Sequence, residues 1–153
     1  MRAVTLALLL ALVSVWTAAV VAAPRACILP DLGLPLAGQD AIDCGVARSG
    51  HARERRAVAN CAKRAIARGK AVRFGVGEVG IDSFSCDVAV RDAEGRFYVL
   101  NFEWEVGHTP GAFVGRCPVI DPDWHDPSGA DHFGPRECES DDEAFQRAAI
   151  RHP

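Results

Sequence analysis

The sequence predicts a disulfide-stapled α+β protein in which one amphipathic helix packs on a four-stranded antiparallel meander, with irregular segments at both ends. Three observations predict it. A helical apolar stripe lies between residues 50 and 68, and four later segments alternate apolar and polar residues. Six cysteines, an even number, all follow an apolar N-terminal segment. Disulfides are therefore expected to supplement a modest core.

The N-terminal segment has the pattern of a secretory signal peptide. Arg2 precedes an uncharged apolar run over residues 4–23 that ends in small residues, and cleavage after Ala22 is predicted. An uncleaved anchor is the alternative, because about 20 apolar residues can cross a hydrocarbon core of ~30 Å. The pattern predicts a periplasmic or secreted protein. The expected organisation is a signal peptide, an α+β domain with an irregular lead-in, and an acidic irregular tail: residues 1–22, 23–120 and 121–153.

The helix is predicted over residues 50–68, with Ser49 as its N-cap and Gly69 as its left-handed stop. Apolar and small residues recur at helical spacing on one side: Val58, Cys61, Ala62, Ala65 and Ile66. This narrow stripe is expected to pack against the large apolar residues of the third predicted strand: Tyr98, Leu100, Phe102 and Trp104.

Four segments are predicted to form the meander: residues 71–76, 83–90, 97–106 and 112–117. Their alternation leaves one polar face, which is typical of an antiparallel sheet covered on one side only. Residues 92–95 form the expected hairpin loop, in which Gly95 supplies the positive φ. The tail beyond Pro118 is rich in Pro, Asp and Gly, with a short helix expected over residues 142–151.

All six cysteines are expected to be disulfide-bonded. They allow fifteen connectivities. We predict one bridge from the lead-in to the helix, one between two strands and one between the irregular ends: Cys44–Cys61, Cys86–Cys117 and Cys27–Cys138.

Charge is distributed unevenly along the chain, although the net charge is only −3. Residues 48–70 contain eight basic residues against Glu54 alone, and residues 121–143 contain nine acidic residues against Arg136 alone. The two regions are expected to lie near each other or to be solvated. Alternatively, the basic helix meets an anionic partner such as lipid headgroups, polysaccharide or nucleic acid, and an anionic envelope polymer is the expected one. Specific nucleic-acid binding is not expected, and membrane contact is expected only through the signal peptide.

Two groups of residues superficially resemble catalytic sites. Ser83 beside Asp82 lacks the Gly-x-Ser-x-Gly elbow that exposes a nucleophile, so a turn is the better interpretation. Glu103 and Glu105 lie roughly 6–7 Å apart along a strand, which suits paired-carboxylate hydrolysis, but exposed strand faces commonly carry such pairs.

The segment from Asp121 to His132 concentrates carboxylate and imidazole ligands without matching the calcium-loop pattern. Zinc binding through His125 and His132 is geometrically possible, but a solvated acidic loop is the better interpretation. The sequence thus assigns no catalytic, cofactor-binding or metal-binding residue.

Several short motifs resemble a group of small uncharacterised exported proteins of Gram-negative bacteria. These motifs are Asp43-Cys44-Gly45, Asn60-Cys61-Ala62, Gly80-Ile81-Asp82-Ser83 and Arg116-Cys117-Pro118. The resemblance covers about half of the chain and implies no activity. The order of helix and meander also looks like the cystatin fold, but the inhibitory Gln-x-Val-x-Gly hairpin is absent. The cysteine spacing is similar to that of bacterial subtilisin inhibitors, without their N-terminal strand.

The sequence therefore predicts a non-catalytic exported module that binds a protein or an envelope polymer. A secreted protease inhibitor is one alternative, with its reactive loop around residues 80–86. A small metal-dependent hydrolase that uses residues 121–132 is the other.

Overall fold

A computed structural model describes residue 27, residues 31–123 and residues 138–148. The predicted signal peptide, His125 and His132 lie outside the described residues. Within those ranges the chain forms a mixed six-stranded sheet whose strands follow one another in chain order. The strands are β1 (Ile42–Arg48), β2 (Val72–Val79), β3 (Ser83–Arg91), β4 (Phe97–Glu105), β5 (Gly111–Cys117) and β6 (Glu139–Ser140). The helices are α1 (Leu34–Ala37), α2 (Ala52–Ala67) and α3 (Asp142–Ala148).

The α+β class is confirmed, but the predicted arrangement of one helix on a four-stranded meander is not. Strands β2 to β5 form an antiparallel meander at the four predicted segments. Strand β1 pairs with β2 in parallel, and α2 makes the crossover that parallel pairing requires. The sequence did not predict β1 because its alternation is interrupted. Gly45, at φ +82°, lies where the register shifts between Asp43 and Val46.

Helix α2 begins at Ala52, after a short turn that follows β1, and its C-cap is Arg68, where the helix was predicted to end. His51 is the N-cap residue and makes no side-chain capping hydrogen bond, so the prediction of Ser49 as the cap is wrong. At the other end Gly69 has φ +67°, and Lys70 N donates to Ala65 O at 3.0 Å. Gly69 therefore closes the helix in the left-handed conformation that the sequence indicated.

The sheet is covered on both faces, not on one. On the helix face, α2 packs against β1 and β2 over Val72, Phe74 and Val76. Tyr98, Leu100 and Phe102 lie on the second face, together with Leu36 of α1 and Ala144 of α3. The prediction that α2 covers Tyr98, Leu100, Phe102 and Trp104 is therefore wrong. Tyr98 pairs with Val90, and Phe74 pairs with Ala89. Because Ala89 and Val90 are consecutive on β3, the side chains of Phe74 and Tyr98 point to opposite faces of the sheet.

Three disulfides hold these layers together. Cys44–Cys61 joins β1 to α2, as predicted. The other bridges are Cys27–Cys86 and Cys117–Cys138, so the predicted pairs Cys86–Cys117 and Cys27–Cys138 are wrong. Cys86 packs on the second face and Cys117 on the helix face, with β4 between their strands. Two strand spacings of about 4.8 Å and opposite side-chain directions prevent a bridge between them.

The hairpin between β3 and β4 is fixed by a buried carboxylate. Asp92 accepts hydrogen bonds from Arg96 N at 2.8 Å and Arg96 Nε at 2.7 Å, and Gly95 has φ +86° as expected. Burial alone raises the pKa of the Asp92 carboxyl, but the hydrogen bonds from Arg96 outweigh burial and hold this pKa below its usual value. The loop therefore depends on the ionised form of Asp92.

An ion pair at the start of α2 predicts an unusual titration. Side-chain hydrogen bonds from Arg48, helped by its backbone N–H, lower the pKa of Glu54 to about 2. Because this pKa lies below the unfolded value, the contribution to stability is present above about pH 4.5 and is lost as the pH falls towards 2. We expect Arg48→Gln to return the pKa of Glu54 towards 4.5 in a carboxyl NMR titration. Lys63→Gln is the control, and a pKa that stays at about 2 in Arg48→Gln would exclude Arg48 as the cause.

Candidate functional site

The most exposed large apolar side chains at one end of the sheet surround the turn between β2 and β3. Ile81 is fully exposed, and Val79 and Val106 are 69% and 58% exposed. We call these three residues the apolar tip. Gly80 N donates to Ser83 O at 2.8 Å, and Val106 N donates to Asp82 O at 2.8 Å. The turn is therefore tied both to its own strand and to the end of β4.

Aromatic side chains lie next to Val79 of the apolar tip in the sheet register. Val79, Phe84 and Trp104 occupy neighbouring register positions on β2, β3 and β4. The ring of Phe84 stacks on Phe102 at 5.5 Å and on Trp104 at 5.7 Å between centroids. Two residues beyond Phe84, Cys86 is bridged to Cys27. Ring packing and a covalent link thus brace the strands that carry the tip.

An acidic cleft of about 420 Å³ lies beside the apolar tip. Glu78, Ser85 and Glu103 line it from one cross-strand row of β2, β3 and β4. Ser83 and Glu105 form the next row. The cleft thus brings together Ser83, Glu103 and Glu105, which the sequence analysis considered separately, and adds Glu78.

The cleft does not contain an assembled nucleophile and base among the described residues. His108 also lines it, and its Nε2 lies 4.0 Å from Glu105 Oε2, but no hydrogen bond joins His108 to Ser83. Both His108 and Glu105 are well exposed, with 70% and 60% of their side chains accessible. Acyl transfer needs a nucleophile held in hydrogen-bond contact with its base. The described geometry lacks that contact.

Asp87 is a buried carboxylate in the cross-strand row two residues from Ser85 and Glu103, and it was not singled out from the sequence. Its side chain is buried and accepts a hydrogen bond from Asn101 Nδ2 at 2.7 Å across β3 and β4. Asn101 Nδ2 also lies 3.4 Å from Glu103 Oε1. The only sequence signal for this pair is a polar residue at an inward position of each strand. That signal becomes visible only once the register is known.

The basic helix and the acidic tail meet at one described contact. Lys63 of α2 forms an ion pair with Asp123, which supports the expectation that the two charged regions lie near each other. Asp121 accepts a hydrogen bond from Asp123 N at 2.9 Å. In the part of the chain that the structure describes, no group of three or more His, Cys, Asp or Glu side chains could hold a metal ion. Most of the suggested metal-binding segment, residues 124–132, lies outside that part.

These features define the class of the molecule as a disulfide-stapled α+β protein with a mixed six-stranded sheet. Its three disulfides suggest an oxidising, extracytoplasmic location. No helix among the described residues has the length and apolarity needed to cross a bilayer. Comparison of the chain with protein-family profiles, curated proteins and solved structures finds no match in any of the three. The resemblance to small exported proteins thus stays a prediction.

Proposed function

We propose that this protein is a non-catalytic exported module that binds a partner protein through the apolar tip. The observation that carries the proposal is the exposure of Ile81, Val79 and Val106 on a rigid turn. Scattered exposed apolar residues are normal, but a contiguous group at one end of a small domain is typical of an interaction site.

The charge beside the tip indicates the chemistry of the partner. Glu78 and Glu105 line the cleft and are the chain neighbours of Val79 and Val106, so the strands of the tip carry carboxylates on their opposite face. A complementary surface would offer an apolar pocket for Ile81 with basic groups at its rim. Such charges mainly set the association rate and the choice of partner, while the buried apolar anchor supplies affinity.

Rigidity of the tip favours binding. The turn is fixed by hydrogen bonds from Gly80 N and Val106 N, and its strands are braced by stacked rings and the Cys27–Cys86 bridge. A surface that is ordered before association loses little conformational freedom on binding. The tip therefore suits recognition of a preformed pocket.

Protease inhibition receives less support than general protein binding. An inhibitor would need an exposed loop beside a disulfide, and the tip is such a loop. However, strand-like recognition uses free backbone N–H and C=O groups of an extended segment. At the tip, Gly80 N and Asp82 O already pair within the protein, and only two residues separate Gly80 from Ser83. We therefore favour a side-chain anchor over a substrate-like loop.

The compartment belongs to the same proposal. Residues 1–22 would act as a signal peptide and the mature protein would reach the periplasm or the exterior. Mass determination of the exported product tests this, since cleavage after Ala22 removes 22 residues. Full-length protein retained in the membrane would contradict it.

The variant Ile81→Asp tests binding through the tip. The mature protein and this variant are immobilised and used to capture proteins from an envelope extract of the native organism. We expect one partner to bind the wild type and to bind Ile81→Asp at least about 30-fold more weakly, as for the loss of a central apolar anchor. Titration of the purified partner by calorimetry gives the affinities.

Val119→Asp is the matched control, because Val119 is 61% exposed but lies after β5, away from the tip. Both variants should unfold within about 0.5 kcal/mol of the wild type, since neither side chain is buried. Equal capture of the same proteins by the wild type and Ile81→Asp would refute binding through the tip. Inhibition of a protease by the wild type alone would favour the inhibitor alternative.

A further inference from the structure

The solvent-facing side of α2 carries a row of arginines: Arg53, Arg56 and Arg64, continued by Arg68 at the C-cap. We call these four residues the arginine face. All four are exposed, and none forms an ion pair with another residue in the described ranges. At 100° per residue they fall within an arc of about 120° opposite the buried Ala62. The row spans roughly 22 Å along the axis, at 1.5 Å per residue.

Two carboxylates beside this face, among the described residues, are paired with other cations. Glu54 is the only acidic residue of α2, and it pairs with Arg48. Asp123 pairs with Lys63 at the side of the arginine face. The charges of Arg48 and Lys63 are therefore paired, whereas the four guanidinium groups of the arginine face have no anionic partner among the described residues. Repulsion between neighbouring cations at helical spacing opposes folding by a small amount, and an external polyanion would relieve it.

From this arrangement we propose that the arginine face binds an acidic polysaccharide. Guanidinium groups form paired hydrogen bonds with carboxylate and sulfate groups, and a row about 22 Å long matches a chain of repeated charges better than a single small anion. This interaction uses a different surface from the apolar tip and does not rest on the proposed protein partner.

Two other polyanions fit the face less well. The side chains between the arginines are Ala57, Asn60 and Ala67, which are too small to insert into a bilayer as interfacial helices do. Helix α2 contains no aromatic residue on which the bases of a single-stranded nucleic acid could stack. A soluble polymer that offers only charge and hydrogen-bond acceptors remains the best complement.

The test measures binding of the full mature protein to two polysaccharide probes, heparin (sulfated) and polygalacturonate (carboxylated), in low salt and in physiological salt. We expect binding to at least one probe that weakens as salt rises, because exposed charges are screened beyond about 10 Å at 0.1 M salt. The double variant Arg53→Gln/Arg56→Gln should bind that probe about tenfold more weakly, as for the loss of two charge-assisted contacts.

The matched control is Arg91→Gln/Arg116→Gln, which changes the net charge equally but lies on the sheet. It should bind within about twofold of the wild type, and Ile81→Asp should bind as the wild type does. Thermal unfolding verifies that each variant is folded.

Three outcomes would overturn the proposal. The first is no binding to either polysaccharide by the wild type at low salt. The second is an equal loss of binding in the arginine-face variant and the sheet control, which would indicate net charge alone. The third is equal or tighter binding to duplex DNA or to vesicles containing phosphatidylglycerol, which would assign the face to another polyanion.

Discussion

Replacing Cys27 and Cys86 by alanine is expected to lower the free energy of unfolding by about 4 kcal/mol. The bridge closes a loop with a sequence separation of 59, and the entropy of the unfolded chain rises when so long a loop is released. Both cysteines are buried on the second face with Leu32 and Leu36, so the bridge also fastens the N-terminal cover, which consists of residues 31–37, to β3. Denaturant unfolding of wild type and variant measures the difference.

The other two bridges serve as internal controls. Cys44–Cys61 and Cys117–Cys138 have sequence separations of 17 and 21, for which the same relation gives about 3 kcal/mol each. Removal of Cys27–Cys86 should therefore produce the lowest unfolding midpoint of the three variants. If it produces the highest, loop length is not what sets the contribution of these bridges.

Replacing Arg73 by alanine is the second large effect, with an expected loss of about 3–5 kcal/mol. Arg73 is 2% exposed on β2. Its Nε donates to Leu32 O at 2.6 Å and its Nη1 donates to Asp43 Oδ1 at 2.9 Å, so one side chain joins the N-terminal cover, β1 and β2. Removal leaves a cavity and deprives the buried Leu32 carbonyl of its donor.

Arg116→Ala is the matched control, because Arg116 lies in the same cross-strand row as Arg73 but is exposed. Its loss should change the free energy of unfolding by no more than about 0.5 kcal/mol. Arg73→Lys should fall between the two, since an ammonium group keeps the charge but cannot reproduce the directed guanidinium contacts. A loss below about 1 kcal/mol in Arg73→Ala would mean that water replaces these contacts.

The meander could be predicted from the sequence because period-two alternation survives in each of its strands. Phe84, Cys86, Val88 and Val90 are buried on one face of β3, as the alternation indicated. Strand β1 could not be predicted, because its bulge at Gly45 breaks the period. The burial of Arg73 was also unpredictable, since an arginine between valine and phenylalanine ordinarily marks the solvent face of a half-covered sheet.

The candidate site was only partly visible in the sequence. The segment around Ile81 was singled out as a turn and as a potential exposed loop, and the structure places it at the apolar tip. The cleft requires Glu78 and Glu103 to share a cross-strand row, which depends on register and strand order. Helical periodicity in the sequence is enough to place the four arginines on one face of α2. Which of the neighbouring charges are already paired is known only from the fold.

The disulfides are nested, since the Cys44–Cys61 loop lies entirely within the Cys27–Cys86 loop. A chain that oxidises its cysteines in order of appearance would join Cys27 to Cys44 and Cys61 to Cys86, and neither pair is native. The native set is reached from those pairs only by thiol–disulfide exchange through mixed-disulfide intermediates. A chain oxidised in that order would therefore need an isomerase or a thiol redox buffer to reach the native set, and strongly oxidising refolding conditions would trap scrambled molecules.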